Sequence, residues 1–315
     1  VLRIIATRAA LGALTLLAVS ALIFIATQVL PGDVASAVLG QGATPEALAV
    51  YRQELGLDRP AYVRYFEWLF GALRGDFGIS LTNKRVIIDE VTPRFLNTLF
   101  LAGYAALIAV PLAVGLGIVA AIYEGKLIDR VANVLSLMTI SVPEFFIAYL
   151  LILFLSVNND VFPSLATVYP SMGLGERFFV TTLPAMTLVM LVTAHMLRMT
   201  RTSVLAVMST PYIEMAFLKG LSRSRIILRH ALPNAAAPII SVVALNLAYL
   251  IVGVVVIEVV FVYPGIGQLM VDAVSKRDVP VVQACGLIFA GAFVILNTSA
   301  DILAILVNPR LRKPR

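Results

Sequence analysis

The sequence predicts an all-α polytopic membrane protein with six transmembrane helices. Three observations lead there: scarcity of charge, six long uncharged runs, and the placement of basic residues between them. Of 315 residues, 60% are hydrophobic and only 13% are charged, with a mean hydropathy of +0.96. A water-soluble domain carries about a quarter charged residues, because its surface must face water. Here much of the surface must face lipid.

The runs mark the spans. Residues 9–32 hold 24 uncharged residues and 95–123 hold 29. Residues 131–159 are interrupted only by Glu144, and 178–197, 231–257 and 279–300 give 20, 27 and 22. About 20 apolar residues in a helix cross the hydrocarbon layer, so each run qualifies. None alternates like a barrel strand. The first run follows Arg3 and Arg8 like a signal peptide, but its apolar stretch exceeds the ~7–15 residues of a signal core. A retained helix is expected.

Orientation follows from the loops. The N-terminus, the 124–130 turn, the 198–230 loop and the C-terminus together carry 14 Lys and Arg; the loops around 160–177 and 258–278 carry three. The positive-inside rule then puts both termini in the cytoplasm. The long 33–94 segment lies outside, its seven basic residues facing eight acidic ones. Within it Tyr62, Tyr65, Phe66, Leu69, Phe70 and Leu73 repeat at helical spacing beside Trp68. Both an interfacial helix and a docking site for an external partner fit that pattern. The net charge of +6 would suit nucleic acid, but the bases sit between apolar runs rather than on an amphipathic surface. No nucleic-acid partner is expected. The single cysteine, Cys285, excludes an intrachain disulfide, and no Cys/His cluster has metal-ligand spacing.

The 198–230 loop is the most informative stretch. Pro211 suits the first turn of a helix and Gly220 the position after its end, and Ser222 suits the cap of a second short helix. A basic loop resting on anionic lipid explains the arginines. It does not explain Ala216, Phe217, Leu218, Ile226 and Ile227, which suit a surface helix entering a partner's groove.

Here a family resemblance becomes specific. Glu214-x-Ala216-x-x-x-Gly220, with Leu232-Pro233 following, resembles the "EAA loop" of permease subunits of bacterial ATP-binding-cassette importers. The longer string Ala216-x-x-Lys219-Gly220-Leu221-Ser222-x-x-Arg225, then Arg229-His230-Ala231-Leu232 and Asn234-Ala235, resembles the dipeptide/oligopeptide/nickel branch (the DppB/OppB type). Met215 replaces a family alanine, and His230 stands where many members have isoleucine. Further matches run in order: Leu30-Pro31-Gly32-Asp33, Leu55-Gly56-Leu57-Asp58-Arg59-Pro60, Gly75-Asp76-Phe77-Gly78-x-Ser80, Ser141-Val142-Pro143-Glu144-Phe145, Glu258-x-x-Phe261-x-x-Pro264-Gly265-x-Gly267 and Asn308-Pro309-Arg310.

The resemblance implies a type I ABC importer permease fold in the bacterial inner membrane. It implies a second homologous permease, two ATPase subunits and an external substrate-binding protein as partners. Residues 1–93 would form the first helix plus the external segment, 94–306 the transmembrane core and 307–315 a basic tail. Glu214, Ala216, Lys219, Gly220, Leu221, Ser222, Arg223 and Arg225 would form the ATPase-coupling loop, with Glu214, Arg223 and Arg225 making the polar contacts. Glu144, Glu258 and Phe261 are candidates for the translocation path or gate. For Glu144 the alternative is a helix-start residue after Pro143, favoured by the local dipole. Glu258 and Asp301 also fit interfacial positions at the ends of their spans. No Gly-x-x-x-x-Gly-Lys-[Ser/Thr] occurs, so the chain itself is not expected to hydrolyse ATP; ATP and Mg belong on the partner subunits.

The implied cargo is a small peptide, with nickel chelates or another small solute as the alternative. A self-sufficient secondary transporter is the competing class, disfavoured because Glu144 has no counterpart in a matching half. An intramembrane enzyme lacks a catalytic set, and His195 with Met196 and Met199 reads as core rather than a metal site.

Overall fold

The computed structural model describes residues 2–29, 44–54 and 58–307. The motifs at 30–33, 55–57 and 308–310 lie outside the described residues. The chain runs through α1 (Leu2–Val29), α2 (Pro45–Glu54), α3 (Ala61–Leu73), α4 (Ile87–Ile122), α5 (Leu127–Ser141) and α6 (Glu144–Leu151). It continues through α7 (Leu174–Val180), α8 (Thr182–Met208), α9 (Pro211–Leu218) and α10 (Arg223–Ile226). The last elements are α11 (Leu232–Gly253), α12 (Val255–Val260), α13 (Ile266–Ser275) and α14 (Val279–Val307). Wider π turns extend α6 over Ile152–Val157 and join α10 to α11 over Ile227–Ala231.

Among the described residues, five helical segments are long and apolar enough to cross a bilayer: Ile5–Gln28, Ile87–Ile122, Thr182–Met208, Arg223–Val260 and Val279–Leu303. The remaining expected span, 131–159, is not one straight helix. It breaks between Ser141 and Glu144, and the two pieces meet at 101°. The cause is local. Proline forces the residue before it out of the helical region, and Val142 is extended at φ −97°, ψ 132°. Pro143 offers no N–H to continue the ladder, so a new helix starts at Glu144.

The centre of the bundle is α4 against α8. On α4 the buried positions are small and spaced three or four apart: Ala102, Ala105, Ala109, Ala113, Gly117 and Ala121. Lipid tails supply no hydrophobic drive to join helices, so close backbone approach and dispersion must do so, and small residues permit it. The approach is tightest at Gly117, where an added Cβ would lie 2.8 Å from the Leu197 carbonyl oxygen and 2.8 Å from Thr200 Cβ. Leu183, Leu188, Val192 and Met196 of α8 fill the opposite wall. α11 and α14 pack on this pair, and α1 packs on the outside of α14.

Polar clasps fix the helix ends. Arg201 of α8 grips Asp129 of α5 with both arms, Nε to Oδ1 at 2.6 Å and Nη2 to Oδ2 at 2.8 Å. The Gly125 amide and Asn133 side chain also donate to that carboxylate. Arg8 and Asp301 pair at 2.9 Å, which joins the start of α1 to the end of α14.

Gly117→Val should drive α4 and α8 apart. The melting temperature of the detergent-purified protein should fall by an amount equivalent to about 1–3 kcal/mol of overpacking. Gly103→Ala, with open space around its Cβ position, should not lower it, since alanine favours a helix interior over glycine.

Candidate functional site

Two structured knots occupy opposite ends of the bundle. The first is the 210–234 loop, where Pro211 starts α9 at its first position and Gly220 adopts φ +76° after its end. Helix, glycine break and second helix are present as the sequence predicts. Ser222 occupies the cap of α10, but its hydroxyl makes no capping hydrogen bond.

The loop has its own small core. Ile213, Ala216, Ile226 and Ala231 are buried together, with Val207, Met208 and Leu221 packed against them. Ile227 joins a neighbouring cluster with Ala121, Val204, Ala235 and Ile239. So part of the loop's apolar surface faces inward. Tyr212, Met215, Phe217, Leu218 and Leu228 do not; they are exposed, as are Glu214, Lys219, Gly220, Ser222 and Arg225. The outward face therefore mixes large apolar side chains with charges.

Tyr212, Asn234 and Glu124, none of them a candidate site residue in the sequence, hold the loop in place. The Tyr212 hydroxyl donates to the His230 carbonyl at 2.8 Å, and Asn234 Nδ2 donates to both Tyr212 Oη and that carbonyl at 2.8 Å. Glu124, at the end of α4, pairs with Arg223, whose Nη2 also donates to the Ala121 carbonyl. Arg223, expected among the contacts to a partner, is committed to its own chain.

The second knot surrounds Glu258. α12 closes with Val262 in the left-handed region at φ +51°. The Val262 amide donates to the Val259 carbonyl and the Tyr263 amide to the Glu258 carbonyl, the bonding pattern of a Schellman motif, whose usual occupant there is glycine. The chain then turns into α13. Glu258 reaches across this turn: its Oε2 accepts the Gly267 amide at 2.8 Å and the Gln268 amide at 3.1 Å. Thr98 of α4 donates to its Oε1 at 2.5 Å and accepts the Ile266 amide at 3.0 Å. Three first-turn amides of α13, which have no partner inside their own helix, are thereby satisfied by one carboxylate and one hydroxyl.

Neighbouring Asn97 completes the knot. Its side chain donates to the Pro264 carbonyl at 2.9 Å and accepts from Arg177 at 2.8 Å, while its carbonyl accepts the Tyr263 hydroxyl at 2.7 Å. Burial pushes the Tyr263 phenol up to about 12, so it stays a neutral donor. The Arg177 guanidinium lies 4.0 Å from the Phe100 ring centre. Gly265 is required for space: a Cβ there would sit 2.0 Å from Glu258 Oε1, and one on Gly267 would sit 2.8 Å from Val255 Cα.

Glu258 and Phe261 are both fully buried within the chain, so neither presents surface at the end of a span. Glu144 differs. It is half-buried in the first turn of α6 and makes no hydrogen bond or ion pair among the described residues. Asp301 pairs with Arg8 at the helix end, while Met196 is buried in the α8 core. No three His, Cys, Asp or Glu side chains converge on a metal site among the described residues.

A membrane bundle of this connectivity, with a folded helix–glycine–helix loop on one face, has the type I fold of ABC importer permeases. Residues 113–313 match the family "binding-protein-dependent transport system inner membrane component", and residues 1–102 match the N-terminal family of such membrane components. The chain belongs to that family and is a multi-pass permease component of the bacterial inner membrane. It is 36% identical over 298 residues to the glutathione transport system permease protein GsiC of Salmonella typhi, with 95% of each chain covered. The same identity and coverage hold for GsiC of Escherichia coli strain K12. Among solved structures, an inward-facing conformation of the MetNI methionine ABC transporter matches with a TM-score of 0.54 at 15% identity, covering 70% of this chain and 96% of that one.

Gly265→Ala should collide with the Glu258 carboxylate and lower the melting temperature sharply. Val262→Gly should raise it, because it removes the ~1–2 kcal/mol cost of a left-handed L-residue. Differential scanning fluorimetry of both purified variants checks the pair of signs.

Proposed function

We propose that this permease subunit forms half of the translocation pathway for small peptides and is driven by separate ATPase subunits. The observation that carries the coupling role is the outward face of α9. Glu214, Met215, Phe217, Leu218 and Lys219 project from a loop whose inner face is already cored and stapled. A loop that folds on its own chain and still exposes Phe217 and Leu218 suits insertion into a partner's groove. Gly220 ends α9 in a conformation that costs an L-residue about 1–2 kcal/mol, so it sets the angle at which α9 is presented.

In this reading the chain works beside a homologous second permease, two ATPases that bind ATP and Mg, and an external substrate-binding protein. The termini, the 124–130 turn and the 198–230 loop face the cytoplasm. Helix direction supports the grouping, since α4, α8 and α14 all run toward that end and Arg8 pairs there with Asp301. The basic loops lie on the same side, as the positive-inside rule requires. Peptide cargo is supported by likeness to glutathione permeases, glutathione being a small peptide. Glu144, half-buried and without a hydrogen-bond or ion-pair partner among the described residues, is the candidate for contact with a cationic group in the path.

Gly220→Leu should leave assembly with the ATPases intact but cut the ATP hydrolysis stimulated by loaded binding protein several-fold in proteoliposomes. Unchanged stimulation would remove the lever role. Affinity purification of the chain from its native membrane should bring down ATPase subunits; their absence would favour a self-sufficient transporter. A thermal-shift screen of the cognate binding protein should find peptides rather than nickel chelates.

A further inference from the structure

Helix α3 has three faces, and each has a different environment. One face packs on α1: the Tyr65 hydroxyl lies 2.9 Å from Ser20 Oγ and 3.5 Å from the Leu17 carbonyl oxygen, and Phe24 packs edge-on to Tyr65 with ring centres 5.4 Å apart. Trp68 lies on the same side, 6.1 Å from Phe24. A second face is polar. Arg59 pairs with Glu67, and Arg64 donates to Gln28 at 3.0 Å. The third face is an exposed apolar row of Tyr62, Phe66, Phe70 and Leu73, with Leu73 74% exposed.

The contacts on α1 act as a depth gauge. Gln28 ends the apolar segment Ile5–Gln28, whereas Leu17 lies eleven residues earlier, about 16 Å lower at a helical rise of ~1.5 Å per residue. The polar face of α3 therefore meets the end of the span, and Tyr65 reaches down its side. α1 at this level also exposes Leu17, Leu22 and Ile25, side chains that suit hydrocarbon. The exposed row of α3 continues that apolar surface.

We infer that α3 lies in the membrane interface beside the C-terminal end of α1, with Tyr62, Phe66, Phe70 and Leu73 in the acyl chains and Glu67 and Arg74 toward water. An amphipathic helix with aromatic residues on one face and charges on the other partitions in this way. In the orientation proposed above this is the outer leaflet; the placement itself needs only that α1 spans the bilayer. It gives the external segment a fixed height above the membrane, from which residues 76–86 cross to α14. There Asp278 accepts from Ser80 Oγ at 2.5 Å, Thr82 Oγ1 at 2.8 Å and the Leu81 and Thr82 amides at 3.2 Å.

The test uses the whole importer in lipid nanodiscs, with Cys285→Ala in this chain and partner subunits free of reactive cysteine. Nitroxide labels at Phe66→Cys, Leu73→Cys, Glu67→Cys and Arg74→Cys are read by power saturation with oxygen and with a water-soluble nickel chelate. Oxygen accessibility should exceed chelate accessibility at 66 and 73, and the order should reverse at 67 and 74. Chelate access at 66 and 73 equal to that at 67 would place the row in water. Protection of 66 and 73 from both reagents, with or without the external binding protein, would mean that protein covers it. Either result overturns the inference. Leu73, at the helix end, reports the same face if Phe66→Cys fails to assemble.

Discussion

A buried carboxylate that caps a helix from another helix organises one end of this bundle. Glu258 leaves α12, crosses a tight turn and takes two amides of α13, while Thr98 of α4 bonds both the carboxylate and a third amide. A buried carboxylate is costly unless donors surround it. Here those donors are backbone amides at a helix N-terminus, where the partial positive charge favours an anion. The glycines at 265 and 267 leave the room this requires. The backbone closes the turn through Val262 and Tyr263, and this contact then fixes where α13 starts.

The same knot joins two long elements that also meet at the other end. α4 runs from Asn97 and Thr98 down to Ala121 and Glu124, about 35 Å at ~1.5 Å per residue. α11 and α12 run from the stapled loop at His230 up to Glu258. Arg223 ties the loop to Glu124, so both ends of both elements are fastened to one another. On the proposed reading, a partner that moves α9 does not bend a free loop. It tilts a closed frame whose far corner is the Glu258 knot, which converts motion at one face into motion at the other. The 101° break at Val142 and Pro143 separates α5 from α6, and Glu144, without a partner among the described residues, sits where they part.

Much of this was legible in the sequence. Five of the six apolar runs stand as long helices, because composition and length alone decide whether a segment suits lipid. Pro211, Gly220 and Ser222 marked the loop helices correctly, because capping and left-handed preferences are local. A helix start at Glu144 after Pro143 was among the sequence readings, because proline acts locally on the residue before it; the 101° between the two pieces was not legible. Glu258 looked like a residue at the end of a span; two of its donors are amides nine and ten positions on, but the third, Thr98, lies 160 positions away and no local pattern reveals it. Arg223 read as a contact for a partner because Glu124, 99 positions earlier, carried no signal of its own. Ile226 and Ile227 read as candidates for an external groove, whereas they build the inner face of the loop.

The claim that the Thr98–Glu258 pair holds α13 in place is tested most directly by hydrogen–deuterium exchange of the assembled importer, comparing wild type with Thr98→Val. Valine keeps the shape of threonine but removes the hydroxyl that links Ile266 to Glu258. Exchange should accelerate in the peptides covering 263–275 while those of α8 and α14 stay unchanged. Equal protection of 263–275 in both proteins would contradict the account.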